Sequence, residues 1–227
     1  MTTAEQIGPR LDELWERVAA AGGDPATVTL VAVTKGFGPE VAVVAADAGL
    51  CDLGENYAQE LTAKAPILAE RTPTVRWHAI GRLQRNKVRQ IAPFVHLWQS
   101  VDRPELATEV ARRAPGASIL IQVNVTDEPA KGGCDPTGVD ELVGHARHAG
   151  LEVLGLMTVG RTGEAAEARP GFKQLSVLAD RHDLAVRSMG MSGDLEVAVS
   201  EGSTMIRVGS ALFGPRPSVR WSDGPDR

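Results

Sequence analysis

Thr29-Leu-Val-Ala-Val-Thr-Lys35, followed at once by Gly36-Phe-Gly-Pro39, carries the pattern that organises the whole chain. A near-continuous apolar run suits a strand buried on both faces, as in a parallel sheet covered by helices. Gly and Pro then stop the run, and a helix-period segment begins at Pro39. Further apolar runs of this kind predict eight strands: Val28–Thr34, Cys51–Leu53, Val75–Ile80, Val95–Gln99, Ser118–Asn124, Glu152–Thr158, Val186–Ser188 and Met205–Val208. Helical stretches separate them, among them Pro39–Ala48, Asn56–Leu68, Pro104–Arg113, Gly138–His148, Arg169–Arg181 and Leu195–Ser200, and an opening helix covers about Ala4 to Ala21. Strict strand–helix alternation predicts parallel strands. Eight units favour a closed (β/α)8 TIM barrel with an extra N-terminal helix over an open sheet.

Composition narrows the function classes. The 227 residues suit one such barrel, with residues 1–214 as the domain and 215–227 as a mobile tail. Hydrophobic residues make up 43%, enough for a full core. A net charge of −5 and an aromatic content of 4% argue against a nucleic-acid or anionic-membrane partner. The only cysteines, Cys51 and Cys134, have no metal-binding spacing, which suggests a reducing, cytoplasmic setting. No signal peptide or membrane-length apolar run is evident.

Active sites of such barrels lie at the C-terminal ends of the strands, and the unusual polar residues gather there. Lys35 shares a strand face with Val31 and Val33. A desolvated lysine has a lowered pKa and becomes an amine nucleophile; the plainer reading is a lysine reaching solvent where the sheet ends. Ser188-Met-Gly-Met-Ser-Gly-Asp194 joins strand seven to a helix that Ser192 or Asp194 can cap. With Gly209 and Ser210 after strand eight, it predicts a phosphate cradle; a tight turn with a cap is the structural alternative. Arg207 shares a face with Met205 and Gly209, either paired to a carboxylate or touching a ligand in the barrel mouth. His78 reads as a packing or stacking group, and Asn56 as a helix cap or a ligand contact.

These segments resemble the YggS/PROSC family of pyridoxal 5′-phosphate (PLP) homeostasis proteins, related in fold to the alanine racemase N-terminal barrel. The resemblance rests on Val31-Ala-Val-Thr-Lys35, Gly54-Glu-Asn-Tyr57, Trp77-His-Ala-Ile-Gly-Arg-Leu-Gln-Arg-Asn-Lys87, Ser188-Met-Gly-Met-Ser192 and Gly202-Ser-Thr-Met-Ile-Arg-Val-Gly209. It implies that Lys35 carries PLP as a Schiff base (an internal aldimine). It implies further that Ser188, Ser192, Gly209 and Ser210 sit at the phosphate, that Met191 also contacts the cofactor, that Arg207 meets the pyridine nitrogen, and that Asn56 and His78 lie near the ring. The chain departs from the family where Thr34-Lys35-Gly36-Phe37-Gly38 replaces the common Ser-Lys-Thr-Lys-Pro, and where Ser210 replaces threonine.

The expected function is therefore a PLP carrier or regulator without robust catalysis, a monomer whose partners include apo forms of PLP-dependent enzymes. A PLP-dependent amino-acid racemase is the alternative, although no second domain supplying an opposing base is expected. A phosphosugar enzyme using Lys35 as an aldolase-type amine is a third reading. Lys131, in the Gly-rich loop after strand five, reads first as a solvated lysine of a flexible loop, with a second, looser PLP contact or release site as the alternative.

Overall fold

The computed structural model describes residues 3–126 and 128–216. Eight strands close into one parallel barrel in sequence order. They are β1 Thr29–Val33, β2 Asp52–Glu55, β3 Arg76–Ala79, β4 Val95–Val101, β5 Ser118–Gln122, β6 Glu152–Met157, β7 Val186–Ser188 and β8 Met205–Val208. The helices are α1 Ala4–Ala20, α2 Pro39–Asp47, α3 Ala58–Arg71, α4 Arg85–Ile91, α5 Pro104–Arg113, α6 Val139–His148, α7 Arg169–Arg181, α8 Leu195–Ser200 and α9 Ser210–Phe213. The expected mobile tail, residues 215–227, lies outside the described residues apart from Pro215 and Arg216.

Alternation along the strands builds two cores. Leu30, Ala32, Ile206 and Val208 point outward and pack under the helices. Val31, Leu97, Leu120, Met157 and Met205 point inward and fill the barrel. Both faces of each strand are thus covered, which is why the strands read as unbroken apolar runs. The inward parity of Val31 carries through Val33 to Lys35 at the mouth. Strand β1 closes the barrel against β8 in a register that sets Val31 beside Arg207.

Two boundaries differ from expectation for a physical reason. Strand β2 runs to Glu55 because Gly54, which reads as a turn signal, instead pairs with Val33 on one side and His78 on the other. A side chain at Gly54 would approach Val31 Cγ1 to 2.9 Å, so the glycine relieves crowding inside the barrel. Strand β4 continues through Ser100 and Val101, residues expected in the following loop. The N-terminal helix α1 packs on α8, α9 and α2 across the seam between β8 and β1. Arg17 of α1 donates to Glu196 Oε1 (2.6 Å) and to the Ser192 carbonyl (3.0 Å), so α1 buttresses the loop after β7.

Candidate functional site

A cavity of about 430 Å³ opens at the C-terminal end of the barrel. That volume falls within the range of small-molecule pockets, roughly 300–1,000 Å³. Lys35, Asn56, Met191, Ser192, Arg207, Gly209 and Ser210 line it, together with Ile80 and Arg216. Seven residues from the ends of four strands, β1, β2, β7 and β8, and the loops after them therefore meet in one place. Among the described residues the lining carries three cationic residues, Lys35, Arg207 and Arg216, and no acidic one.

Lys35 is half-buried, and its amine makes no hydrogen bond or ion pair among the described residues. Burial lowers its pKa, and the charges of Arg216 and Arg207 lower it further, against the opposing pull of Glu55 and Glu60. An amine with those surroundings is partly neutral at a lower pH than a solvated lysine, and so is a better nucleophile. Gly36, next in the chain, adopts φ +79°, and a side chain there would also meet Arg216 Cδ at 3.2 Å. A glycine at this position therefore permits both the turn after Lys35 and the approach of Arg216.

The Lys35 turn is anchored from behind by buried charges. Lys64 Nζ donates to Glu55 Oε1 (2.6 Å), Glu60 Oε2 (3.1 Å) and the Thr34 carbonyl (2.9 Å). Thr34 Oγ1 donates to Glu55 Oε1 (2.6 Å), and the Gly36 amide donates to Glu60 Oε2 (2.7 Å). All three charged residues are buried. Burial raises the Glu55 pKa to about 7, although the Lys64 ammonium and the Thr34 hydroxyl act the other way. The triad grips the backbone on both sides of Lys35 and so fixes where its side chain leaves the strand.

Arg207 forms the cavity floor. Its guanidinium donates to Ser188 Oγ (2.7 Å) and to the Thr158 carbonyl (2.6 Å). Burial lowers its pKa to about 10, which leaves it charged at neutral pH. Ser188 in turn donates to Gln99 Oε1 (2.7 Å), and Gln99 Nε2 meets His78 Nδ1 at 2.7 Å. His78 Nε2 meets Asp52 Oδ1 at 2.9 Å, and Asp52 is clamped by Arg76 at 2.7 and 2.6 Å. Burial pushes the Asp52 carboxyl up, but the hydrogen bonds from Arg76 and His78 more than reverse this and keep it ionised. An ionised Asp52 requires the proton of a neutral His78 to be on Nε2, so Nδ1 accepts from Gln99 and every later donor and acceptor is matched.

His78 is thus the packed, hydrogen-bonded core histidine that its place in the strand suggested. His78 and Ser188 do not line the cavity; they lie a layer below it and hold Arg207 in place. Replacing His78 by leucine leaves Asp52 and Gln99 without their buried partner. The expected cost is about 1–3 kcal/mol, read by denaturant unfolding, with Lys35 still reactive toward aldehydes. A variant as stable as the wild type would show that the chain carries no weight.

Other placements also differ. Ser192 does not cap α8; its hydroxyl lies 3.1 Å from Ser210 Oγ and accepts from the Ala211 amide at 3.3 Å, tying the loops after β7 and β8 together. Asp194 accepts instead from the Met191 amide (2.6 Å). Lys131, whose alternative reading is a loose PLP contact, donates to Glu128 Oε1 (2.8 Å) and to the Gly160 carbonyl, so its ammonium staples two loops outside the cavity. Arg216, Glu55, Glu60, Lys64, Gln99 and Asp52 were not singled out from the sequence. Among the described residues no His, Cys, Asp or Glu cluster suits a metal ion.

The fold and the site define a class: a (β/α)8 barrel presenting an amine at the end of β1 above a buried arginine from β8. Residues 10–217 match the family model described as alanine racemase, N-terminal domain. A pyridoxal phosphate homeostasis protein of Pseudomonas aeruginosa is 41% identical over 95% of this chain and 96% of its own length. One from Escherichia coli K12 is 34% identical over 92% of this chain and 97% of its own. The solved structure of PipY from Synechococcus elongatus with PLP bound is 32% identical, with a TM-score of 0.80 over 92% of this chain and all of that one. The chain belongs to the pyridoxal phosphate homeostasis protein family.

Proposed function

We propose that this protein binds PLP in the Lys35 cavity, holds it covalently through the Lys35 amine, and serves PLP homeostasis in the cytoplasm without robust turnover. The carrying observation is the meeting of an amine with a lowered pKa and, among the described residues, no partner, two arginines, two serine hydroxyls and no carboxylate in one cavity. This donor set fits an aldehyde that also bears a phosphate. Lys35 is the amine that would hold it, the Ser192–Gly193 and Gly209–Ser210 loops would receive its phosphate, and Arg207 would face its ring nitrogen. When bound, PLP supplies a carbonyl reactive toward amines and a conjugated ring that acts as an electron sink. The charge on Arg207 disfavours protonation of a nearby pyridine nitrogen, and that weakens the sink. Ser188, Gln99 and His78 keep the guanidinium from swinging away. The two free cysteines, Cys51 and Cys134, and the absence among described residues of a helix long and apolar enough to span a membrane agree with that setting.

Racemisation needs proton transfer on both faces of the substrate carbon. Among the described residues Lys35 is the one amine in the lining, and no His, Tyr, Cys, Asp or Glu lines the cavity. We therefore expect no turnover of alanine or serine in a chiral assay, and rates on the order of 1–1,000 per second would overturn the reading. Binding itself is tested by melting. A ligand at a hundredfold excess over its Kd adds about 2.7 kcal/mol, so PLP should raise Tm by several degrees. Identical melts with and without PLP would count against binding. The remaining elements of the reading are a monomer and delivery to apo forms of PLP-dependent enzymes, tested by sedimentation and by reactivation of such an enzyme.

A further inference from the structure

A second cleft, of about 720 Å³, lies beside the Lys35 cavity on the same rim. Three βα connections wall it: Asn56–Gln59 after β2, Arg82–Lys87 after β3, and Asp102–Arg103 after β4. Among the described residues Asn56 is the one shared by both cavities. The cleft is a built feature. A side chain at Gly81 would come within 2.3 Å of the Asn56 carbonyl, so a glycine there lets the first two walls meet backbone to backbone. Arg103 joins the third wall by donating to the Leu83 carbonyl (3.0 Å), while also pairing with Asp102.

Its charge is out of keeping with the rest of the protein. Residues 71–101 contain Arg71, Arg76, Arg82, Arg85, Lys87 and Arg89 and no acidic residue, in a chain of net charge −5. Arg76 is consumed by Asp52 at the other end of the barrel. The side chains of Arg82 and Lys87, which line the cleft, have no hydrogen-bond or ion-pair partner among the described residues. Ala58 and Gln59 in the same lining are the first two residues of α3, a helix of 14 residues with no side-chain cap. Their amide donors lack intrahelical acceptors, and the start of a helix favours negative charge. Two unpaired cations, an uncapped helix start and a concave shape converge on one ligand chemistry.

We propose that the cleft between the loops after β2, β3 and β4 is a second binding site, for a small polyanion bearing phosphate or carboxylate groups. Arg82 and Lys87 supply the charge, and the Ala58 and Gln59 amides supply directional bonds. A concave, loop-walled site of this volume favours a small molecule over the flat acidic surface of a protein partner. The site stands apart from Lys35 and does not depend on what that residue binds.

Pyrophosphate and citrate serve as probes, titrated into ¹⁵N-labelled full-length protein and followed by amide resonances. The expected result is saturable shifts at Ala58, Gln59, Arg82 and Gln84 for at least one probe, weakened when salt rises from about 0.05 to 0.5 M. In the Arg82→Ala, Lys87→Ala double variant the midpoint should rise at least about tenfold. Arg82 is exposed and Lys87 half-buried, and an unchanged spectrum elsewhere establishes that the variant is folded; Arg82→Gln with Lys87→Gln serves if it is not. Equal midpoints in variant and wild type would overturn the proposal. So would shifts confined to Ser192, Gly193 and Ser210, which would put the anion in the Lys35 cavity alone. A response to a Glu-rich peptide but to neither probe would overturn it too, by assigning the surface to an acidic protein.

Discussion

Lys35→Ala protein incubated with PLP should show no borohydride-reducible visible absorption band while retaining its fold. Lys35 is half-buried and points into the cavity, so its truncation removes the amine and leaves the core intact. No substitute is at hand. Arg207 and Arg216, the other cations in the lining, do not act as amine nucleophiles, and Lys64 is buried behind the strand with Glu55 and Glu60. Noncovalent PLP binding should persist at reduced affinity, because the loops after β7 and β8 are untouched. A full-strength reducible band in this variant would remove Lys35 from the account.

Lys64→Met should cost the most stability of any single change around the site. Removing one partner of a buried ion pair costs about 3–5 kcal/mol, because the other charges stay buried without compensation. The effect should depend on pH with a definite sign. Glu55 binds its proton more tightly in the fold, near pH 7, than at its ordinary value of 4.5. A raised carboxyl pKa contributes stability at low pH that is lost as pH climbs from about 4.5 to 7. Without Lys64 the ionised carboxylates are more costly still, so the variant should lose more stability at pH 8 than at pH 5. Denaturant unfolding at the two values checks this. An equal loss at both would show that Glu55 does not titrate with folding. Because Glu60 holds the Gly36 amide, the same variant should also take up PLP more slowly.

The parts of the site that were legible are those set by strand parity. Val31, Val33 and Lys35 on one strand, and Met205, Arg207 and Gly209 on the next, face inward by simple alternation. The buried triad was less legible because Glu60 and Lys64 look like an ordinary exposed pair one helical turn apart. A signal was there: Lys64 falls on the same helical face as Leu61, Ala65 and Leu68, all buried, so it interrupts an apolar stripe. The chain from Arg207 to Asp52 was hidden for another reason. It joins β8, β7, β4, β3 and β2, and the register between strands is not written in any one of them. Arg216 was read as part of a tail because proline and polar residues surround it, and only the closed barrel brings it over Gly36. Strand β2 was expected to stop at Leu53, whereas it runs on to Glu55 because Gly54 acts as a packing device rather than as a turn.

The most direct test of the central claim is peptide mass spectrometry of full-length protein loaded with PLP and reduced with borohydride. The account predicts one major pyridoxyl-phosphate adduct, on the peptide containing Lys35, with Lys64 and Lys131 unmodified because their ammonium groups are held in ion pairs. An adduct on another lysine with Lys35 unmodified, or no adduct in protein that binds PLP, would contradict it.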